Sequence, residues 1–206
     1  MGAPQPSPAQ RRREATRARI REVAVGLFRE KGYRGTSVAE IADAADISER
    51  TLFRYFPAKR DIIFDRPESY IAPARAFLVG MDPKVPDWHA VQRAFGDLCS
   101  YMEANEEEIR LAWKLTRSSP ELSARYQMME DRWSRGLAHG LATRRGDDRP
   151  SYADLALTGA AVAVFGIAAR RWLREAPGPM TEVAADAFEA FERRILRAQP
   201  DASPRP

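Results

Sequence analysis

Two serines, Ser37 and Ser48, each stand where a helix would start, and they are too close together to leave room for anything but one short helix and a tight turn between them. Ser37-Val-Ala-Glu40 has the form of a capping box, in which the serine and glutamate satisfy each other's free backbone amides. Ile41, Ala42 and Ala45 then face inward on a helix of about eight residues, given 3.6 residues per turn. Asp46-Ile47 makes the turn. Ser48 caps the next helix, which carries Leu52 and Phe56 inward. Pro57 closes it, because the residue before a proline avoids the helical region. The spacing therefore predicts a helix-turn-helix over Ser37–Phe56, with an outward face of Glu49, Arg50, Phe53 and Arg54.

Almost everything else also reads as helix. No alternating β-branched runs and no Asn-Gly or Asp-Gly hairpin turns occur, so the fold class is all-α. The first helix is expected over Arg12–Lys31. Ile20, Val23, Ala24, Leu27 and Phe28 share one face of it, Arg17, Arg21 and Arg29 point to solvent, and Gly32 is the stop. A fourth helix starts near Ala58 with Ile62, Ile63 and Phe64, and Pro67 and Pro73 break or kink it. Five longer helices follow, over Asp87–Asn105, Glu107–Arg117, Pro120–Arg144, Ser151–Glu175 and Met180–Ala198. They form a bundle, since such helices are marginal alone. The ends, residues 1–10 and 199–206, are expected to be disordered tails. The near-apolar run Leu155–Ala169 is about five residues short of the roughly 20 that span a bilayer, so it reads as a buried core helix, not a membrane segment. No secretory signal is evident, and the expected location is cytoplasmic.

Charge divides the chain. Residues 1–66 hold 14 Lys/Arg against 9 Asp/Glu, and residues 67–206 hold 19 against 20. A basic first third on a neutral remainder suits a nucleic-acid-facing module joined to a second part. An enzyme is disfavoured: Cys99 is alone, His89 and His139 are distant, and neither a glycine-rich phosphate loop nor a His-Glu-x-x-His motif occurs. No metal or cofactor is expected.

A helix of this kind has a definite use. The DNA major groove is about 12 Å wide and admits one helix, with the preceding helix lying across the backbone. The segment from Thr36-Ser-Val-Ala-Glu-Ile through Thr51-Leu-Phe-Arg-Tyr-Phe-Pro-Ala-Lys59 closely resembles the N-terminal domain of the TetR family of transcriptional regulators. The resemblance is specific from about Ile20 to Phe64 and includes Gly32 and the pair Tyr55-Phe56. It implies a three-helix DNA-binding domain over residues 11–66 and a helical ligand-binding and dimerisation domain over 67–198.

The resemblance also implies roles. Thr36 and Ser37 are expected to contact phosphate at a helix N-terminus. Ser48, Thr51, Tyr55 and Lys59 match positions that usually touch the DNA backbone. Glu49, Arg50 and Arg54 stand where side chains reach bases, an arginine paired with a guanine being the natural contact, and Phe53 could meet a thymine methyl. Two positions depart from the family pattern. Ala39 replaces an arginine that reads a base in some members, and Asp46 stands where the turn commonly has glycine. The family further implies a homodimer binding a palindromic double-stranded DNA operator, most often as a repressor, and released by a small-molecule effector, here lipophilic or acyl-CoA-like. Small residues of Ser151–Glu175, with the stripe Val183, Ala187, Phe188, Phe191 and Ile195, suit an interface across a two-fold axis. Trp88, Phe95, Tyr101, Met102, Trp113, Tyr126, Met129, Trp133 and Phe165 could line an apolar pocket, although such residues at helical spacing are more often plain core. Arg110, Lys114 and Arg117 form a basic line that could meet an anionic ligand, a solvated face being the more usual outcome.

Overall fold

The computed structural model describes residues 7–64, 68–175 and 178–196. Among them every regular element is helical. The tail over 199–206 lies outside the described residues, as do the first six residues of the tail over 1–10.

Two compact units divide the chain: Met1–Asp65 with Arg110–Tyr126, and Arg66–Ile109 with Gln127–Pro206. The first holds α1 (Pro8–Lys31), α2 (Val38–Ala44), α3 (Glu49–Tyr55) and α4 (Lys59–Ile63). Its core gathers Ile20, Ala24 and Phe28 of α1, Ile41 and Ala42 of α2, Leu52 of α3, Phe56 and Ile62. Leu115 and Leu122 join that core, which is why Arg110–Tyr126 clusters with the N-terminal helices and not with its chain neighbours. The first helix opens four residues earlier than expected. Ser7 caps it with its own box, accepting from Gln10 N at 3.2 Å while Gln10 Oε1 accepts from Ser7 N at 2.7 Å. Residues 8–10 are therefore helix and not tail.

The second unit contains α5 (Glu68–Gly80), α6 (Asp87–Ala94), α7 (Gly96–Ala104), α10 (Tyr152–Glu175), α11 (Met180–Phe191) and a terminal π-helical turn, Glu192–Leu196. It also holds the first residues of α8 (Glu106–Ser118) and most of α9 (Pro120–Arg145). Two expectations change here. The helix expected over Asp87–Asn105 is two helices, bent at Phe95-Gly96. The fourth helix stops at Ile63, and Pro73, expected to break or kink it, sits inside a separate helix, α5. α10 is long and apolar enough by composition to cross a membrane, yet half of that stretch is buried within the unit, Thr158 and Asp154 included.

Arg144 ties the start of this unit together. Its buried guanidinium donates to the carbonyls of Met81, Asp82 and Val85 and to Asp87 Oδ1 at 2.9 Å. Arg145 alongside bonds Asp154 at 2.6 Å. Burial alone would raise the Asp154 carboxyl, but Arg145 and the Ser151 amide and hydroxyl bring it below its ordinary range.

Candidate nucleic-acid interface

The helix pair forms as its caps dictate. Ser37 Oγ accepts from Glu40 N at 3.1 Å, and Glu40 accepts from Ser37 N at 2.8 Å. The Lys31 ammonium, 2.6 Å from Glu40, and the Ser37 amide and hydroxyl together hold that carboxyl down near 2. The turn residue Asp46 has φ 56, the left-handed conformation, and Ile47 N donates back to Ala42 O at 3.0 Å. Ser48 Oγ then accepts from Thr51 N at 3.2 Å to start α3.

α3 is divided along its length. Leu52 and the following Phe56 are completely buried, whereas Glu49, Arg50, Phe53 and Arg54 are exposed. Phe53 keeps 44% of its surface open, so its ring is available on the outer face. Ser48 is exposed, and Thr51 and Tyr55 are half-buried along the edges of this face. Ala39 on α2 presents only a methyl group to solvent.

α3 is also held at its C-terminal end. Arg17 Nη1 donates to the Tyr55 carbonyl at 2.7 Å, and its guanidinium lies 4.2 Å above the Phe56 ring centre. Periodicity sends Arg17 to solvent; instead it satisfies one of the carbonyls a helix leaves open at its end. The sequence signal for this is only that Arg17 lies one turn before Ile20.

Two residues expected at phosphate are committed inside the protein. Thr36 is 1% exposed, and its hydroxyl donates to Gly32 O at 2.9 Å and Leu27 O at 3.3 Å. It ties the loop to the end of α1. Lys59 Nζ donates to Tyr33 O at 2.8 Å and Thr36 O at 2.7 Å, and lies 4.2 Å from the Tyr33 ring centre. Burial lowers its pKa from the ordinary lysine value. Two of its three donors thus clamp the loop that leads into α2. Ser37, by contrast, is exposed.

The residues singled out for an effector separate between the two units. Trp113 and Tyr126 belong to the first. There Arg117 stands over the Trp113 ring, so part of the basic line serves a cation–π contact, and Tyr126 packs 6.3 Å from Phe64. Trp88, Phe95, Met102, Met129, Trp133 and Phe165 are all buried in the second. Phe95 stacks on Phe165 at 4.5 Å, and Trp88 packs on Phe188 at 5.3 Å and Phe191 at 5.0 Å. The stripe expected across a two-fold axis is therefore largely spent on the chain's own core: Val183 and Phe188 are buried. Ile195 of that stripe lies outside the described side chains. Phe95 and Trp133 line a small cavity with Ile71, Ala74, Ala94, Leu98 and Leu137, whose free volume is about 10 Å³, barely one water. Ile71 and Ala74 belong to α5, a helix that Pro73 concealed.

A capped helix of two turns, anchored by two apolar residues and showing a charged outer face, defines a helix-turn-helix DNA-binding protein. Residues 20–65 match the family model of bacterial regulatory proteins, tetR family, and residues 85–196, over half of the chain, match the MftR C-terminal domain. The chain belongs to the TetR family of transcriptional regulators. It is 28% identical over 186 residues, 90% of this chain and 94% of the other, to a candidate mycofactocin biosynthesis transcriptional regulator, MftR, of Mycobacterium tuberculosis. Its fold is that of Thermus thermophilus FadR, a TetR-family transcriptional repressor solved with lauroyl-CoA. The TM-score is 0.60 at 20% identity, covering 90% of this chain and 98% of that one. Bacillus subtilis FadR, solved with stearoyl-CoA, gives a TM-score of 0.58 at 15% identity, covering 84% and 96%. These relatives are transcriptional regulators, not enzymes.

Proposed function

We propose that the protein is a cytoplasmic repressor that binds a palindromic operator as a homodimer, with one α3 in the major groove of each half-site. The carrying observation is the division of α3: Leu52 and Phe56 are fully buried while Glu49, Arg50, Phe53 and Arg54 stand clear. Arg50, opposite the buried face, is the guanine reader, since a bidentate arginine distinguishes one base by about 1–3 kcal/mol. Ser37, Ser48, Thr51 and Tyr55 flank this face and hold the backbone. Lys59 and Thr36 support it indirectly, by fixing the loop before α2.

The effector is a lipophilic molecule of acyl-CoA type. The two FadR proteins that share the fold carry such thioesters, and the second unit here is built around stacked aromatic rings. The buried Trp88 Nε1 has no hydrogen-bond partner among the described residues, which leaves a donor in this unit for a ligand that reached beyond the cavity wall. With about 10 Å³ free, the cavity must open to admit an acyl chain, so the ligand selects a second arrangement of the helices. That arrangement is the one that releases DNA.

The test is operator binding by fluorescence anisotropy, with and without acyl-CoA thioesters of graded chain length. Binding is expected to weaken at least tenfold at saturating ligand, a coupling of about 1.4 kcal/mol. Arg50→Ala is expected to flatten base preference at one position per half-site. If no chain length alters affinity, the effector class is wrong. If Arg50→Ala keeps full base preference, the reading face is wrong.

A further inference from the structure

Apart from Arg17, the N-terminal part of α1 has no role in the proposed function, yet this stretch carries the densest positive charge in the chain. Over residues 8–21 it holds six arginines and one glutamate. None of residues 8–19 is buried, so this stretch does not exist to build the core. The Ser7–Gln10 box nevertheless keeps it helical from its first turn.

Its position gives the charge a direction. Ala9, Arg12, Arg13 and Thr16 of α1 line one open groove together with Arg54 and Tyr55 of α3. Three of its six lining residues are arginines, and none carries a carboxylate. Behind it, Arg17 bonds the Tyr55 carbonyl at 2.7 Å, so the two walls are fixed to each other. Like charges gathered this way repel unless an anion lies between them, and planar guanidiniums match the oxygens of a phosphodiester.

We propose that the groove of Arg12, Arg13, Thr16 and Arg54 binds a backbone phosphate of operator DNA beyond the bases read by α3, so that Arg54 holds phosphate and does not read a base. The inference rests on the proposal that α3 enters the major groove, and it narrows that proposal. Base readout then falls to Glu49, Arg50 and Phe53. Phosphate contacts set register and carry no sequence information, so the groove adds affinity and orients the reading helix without adding specificity.

The experiment uses the full-length protein and a duplex that the wild type selects from a random pool. The duplex is made in two lengths, ending at the half-sites or extended by one helical turn on each side. Kd is measured across a salt series for wild type, for Arg12→Gln with Arg13→Gln, for Arg54→Gln and for Arg50→Ala. Wild type is expected to bind the longer duplex more tightly, and the double variant to lose that advantage. Its slope of log K against log salt falls by about 0.9 per protomer, the loss of one phosphate. Arg54→Gln weakens binding alike on all sequences. Arg12 and Arg13 are exposed and glutamine keeps the helix, so melting temperatures stay at the wild-type value.

An unchanged slope in the double variant overturns the inference, as does Arg54→Gln changing base preference. Either result, with Arg50→Ala still relaxing specificity, leaves the reading helix intact and removes only the groove. Wild type selecting no duplex would remove both. Inorganic phosphate bound at millimolar levels with no dependence on duplex length would mark a free-anion site and overturn the DNA assignment.

Discussion

Asp46 shows how one residue settles a turn. Its N–H donates to Asp43 O and the next N–H, of Ile47, to Ala42 O, both at 3.0 Å. At the end of α9, Gly146 N donates to Thr143 O at 3.0 Å and Asp147 N to Ala142 O at 2.9 Å. Asp46 at φ 56 and Gly146 at φ 85 occupy the same place in the same motif. The departure from glycine therefore leaves the turn intact, at the cost of putting a side chain in the left-handed region, about 1–2 kcal/mol for an ordinary residue and less for aspartate. Asp46→Gly is expected to equal or exceed wild type in stability, and Asp46→Val to lose about 1–2 kcal/mol, read from urea midpoints. If the valine variant matched wild type, the turn would have relaxed to another conformation. The caps and this turn were legible because they depend on neighbours in sequence. Thr36, Lys59 and Arg17 were not. What each donates to, such as Tyr33 O or Tyr55 O, is set by the tertiary fold, and a long flexible stem carries no periodic signal of where its end goes.

At the scale of elements, α5 was the least legible, and the reason is Pro73. A proline in a helix interior removes one backbone hydrogen bond and crowds the preceding turn. α5 persists because its other face is well seated: Leu78 is fully buried, and α9 brings two glycines, Gly136 and Gly140, against it. A Cβ on Gly136 would lie 2.8 Å from Ile71 Cγ1, and one on Gly140 would lie 3.3 Å from Leu78 Cδ1. Gly136 therefore sets the closeness of α5 and α9. Alanine favours a helix over glycine by about 1 kcal/mol. Even so, Gly136→Ala is expected to destabilise the protein by about 1–2 kcal/mol, because the added methyl overlaps the inner carbon of the Ile71 ethyl arm, which a stiff χ1 holds in place, and that overpacking exceeds the propensity gain. Gly140→Ala, whose tightest neighbour is the terminal methyl of Leu78 at 3.3 Å and can give by a few tenths of an ångström, is expected to be near neutral. Thermal melts of the two variants compare them directly, and equal melting temperatures would show that α5 shifts freely. The same seat carries Ile71 and Ala74 to the small cavity, so the element that sequence hid is part of the wall an effector must move.

At the scale of the whole molecule, the proposed operator recognition depends on how two chains meet. Sequence marked apolar surfaces on α10 and α11, but periodicity cannot say which partner each one meets. The α11 stripe turns inward on Trp88 and Phe95. α10 keeps the opposite side open, with Leu155 37% and Ile167 59% exposed and the small residues Ala156 and Ala163 between them. A flat strip of small residues with isolated aliphatic side chains allows two helices to approach closely about a two-fold axis. Ile167→Glu places a charge at one end of that strip. On the proposed arrangement that carboxylate is desolvated against the partner's apolar strip, and burying an unpaired charge costs several kcal/mol. The variant is expected to sediment as a monomer where wild type is a dimer, and to fold normally, since Ile167 is exposed in the isolated chain. Two tethered reading helices bind with an avidity about 10²–10⁴ above one. The variant should therefore lose that factor on a full operator while binding a single half-site as wild type does. A dimer that survives Ile167→Glu would move the interface off α10. A monomer that keeps full operator affinity would separate recognition from dimerisation altogether.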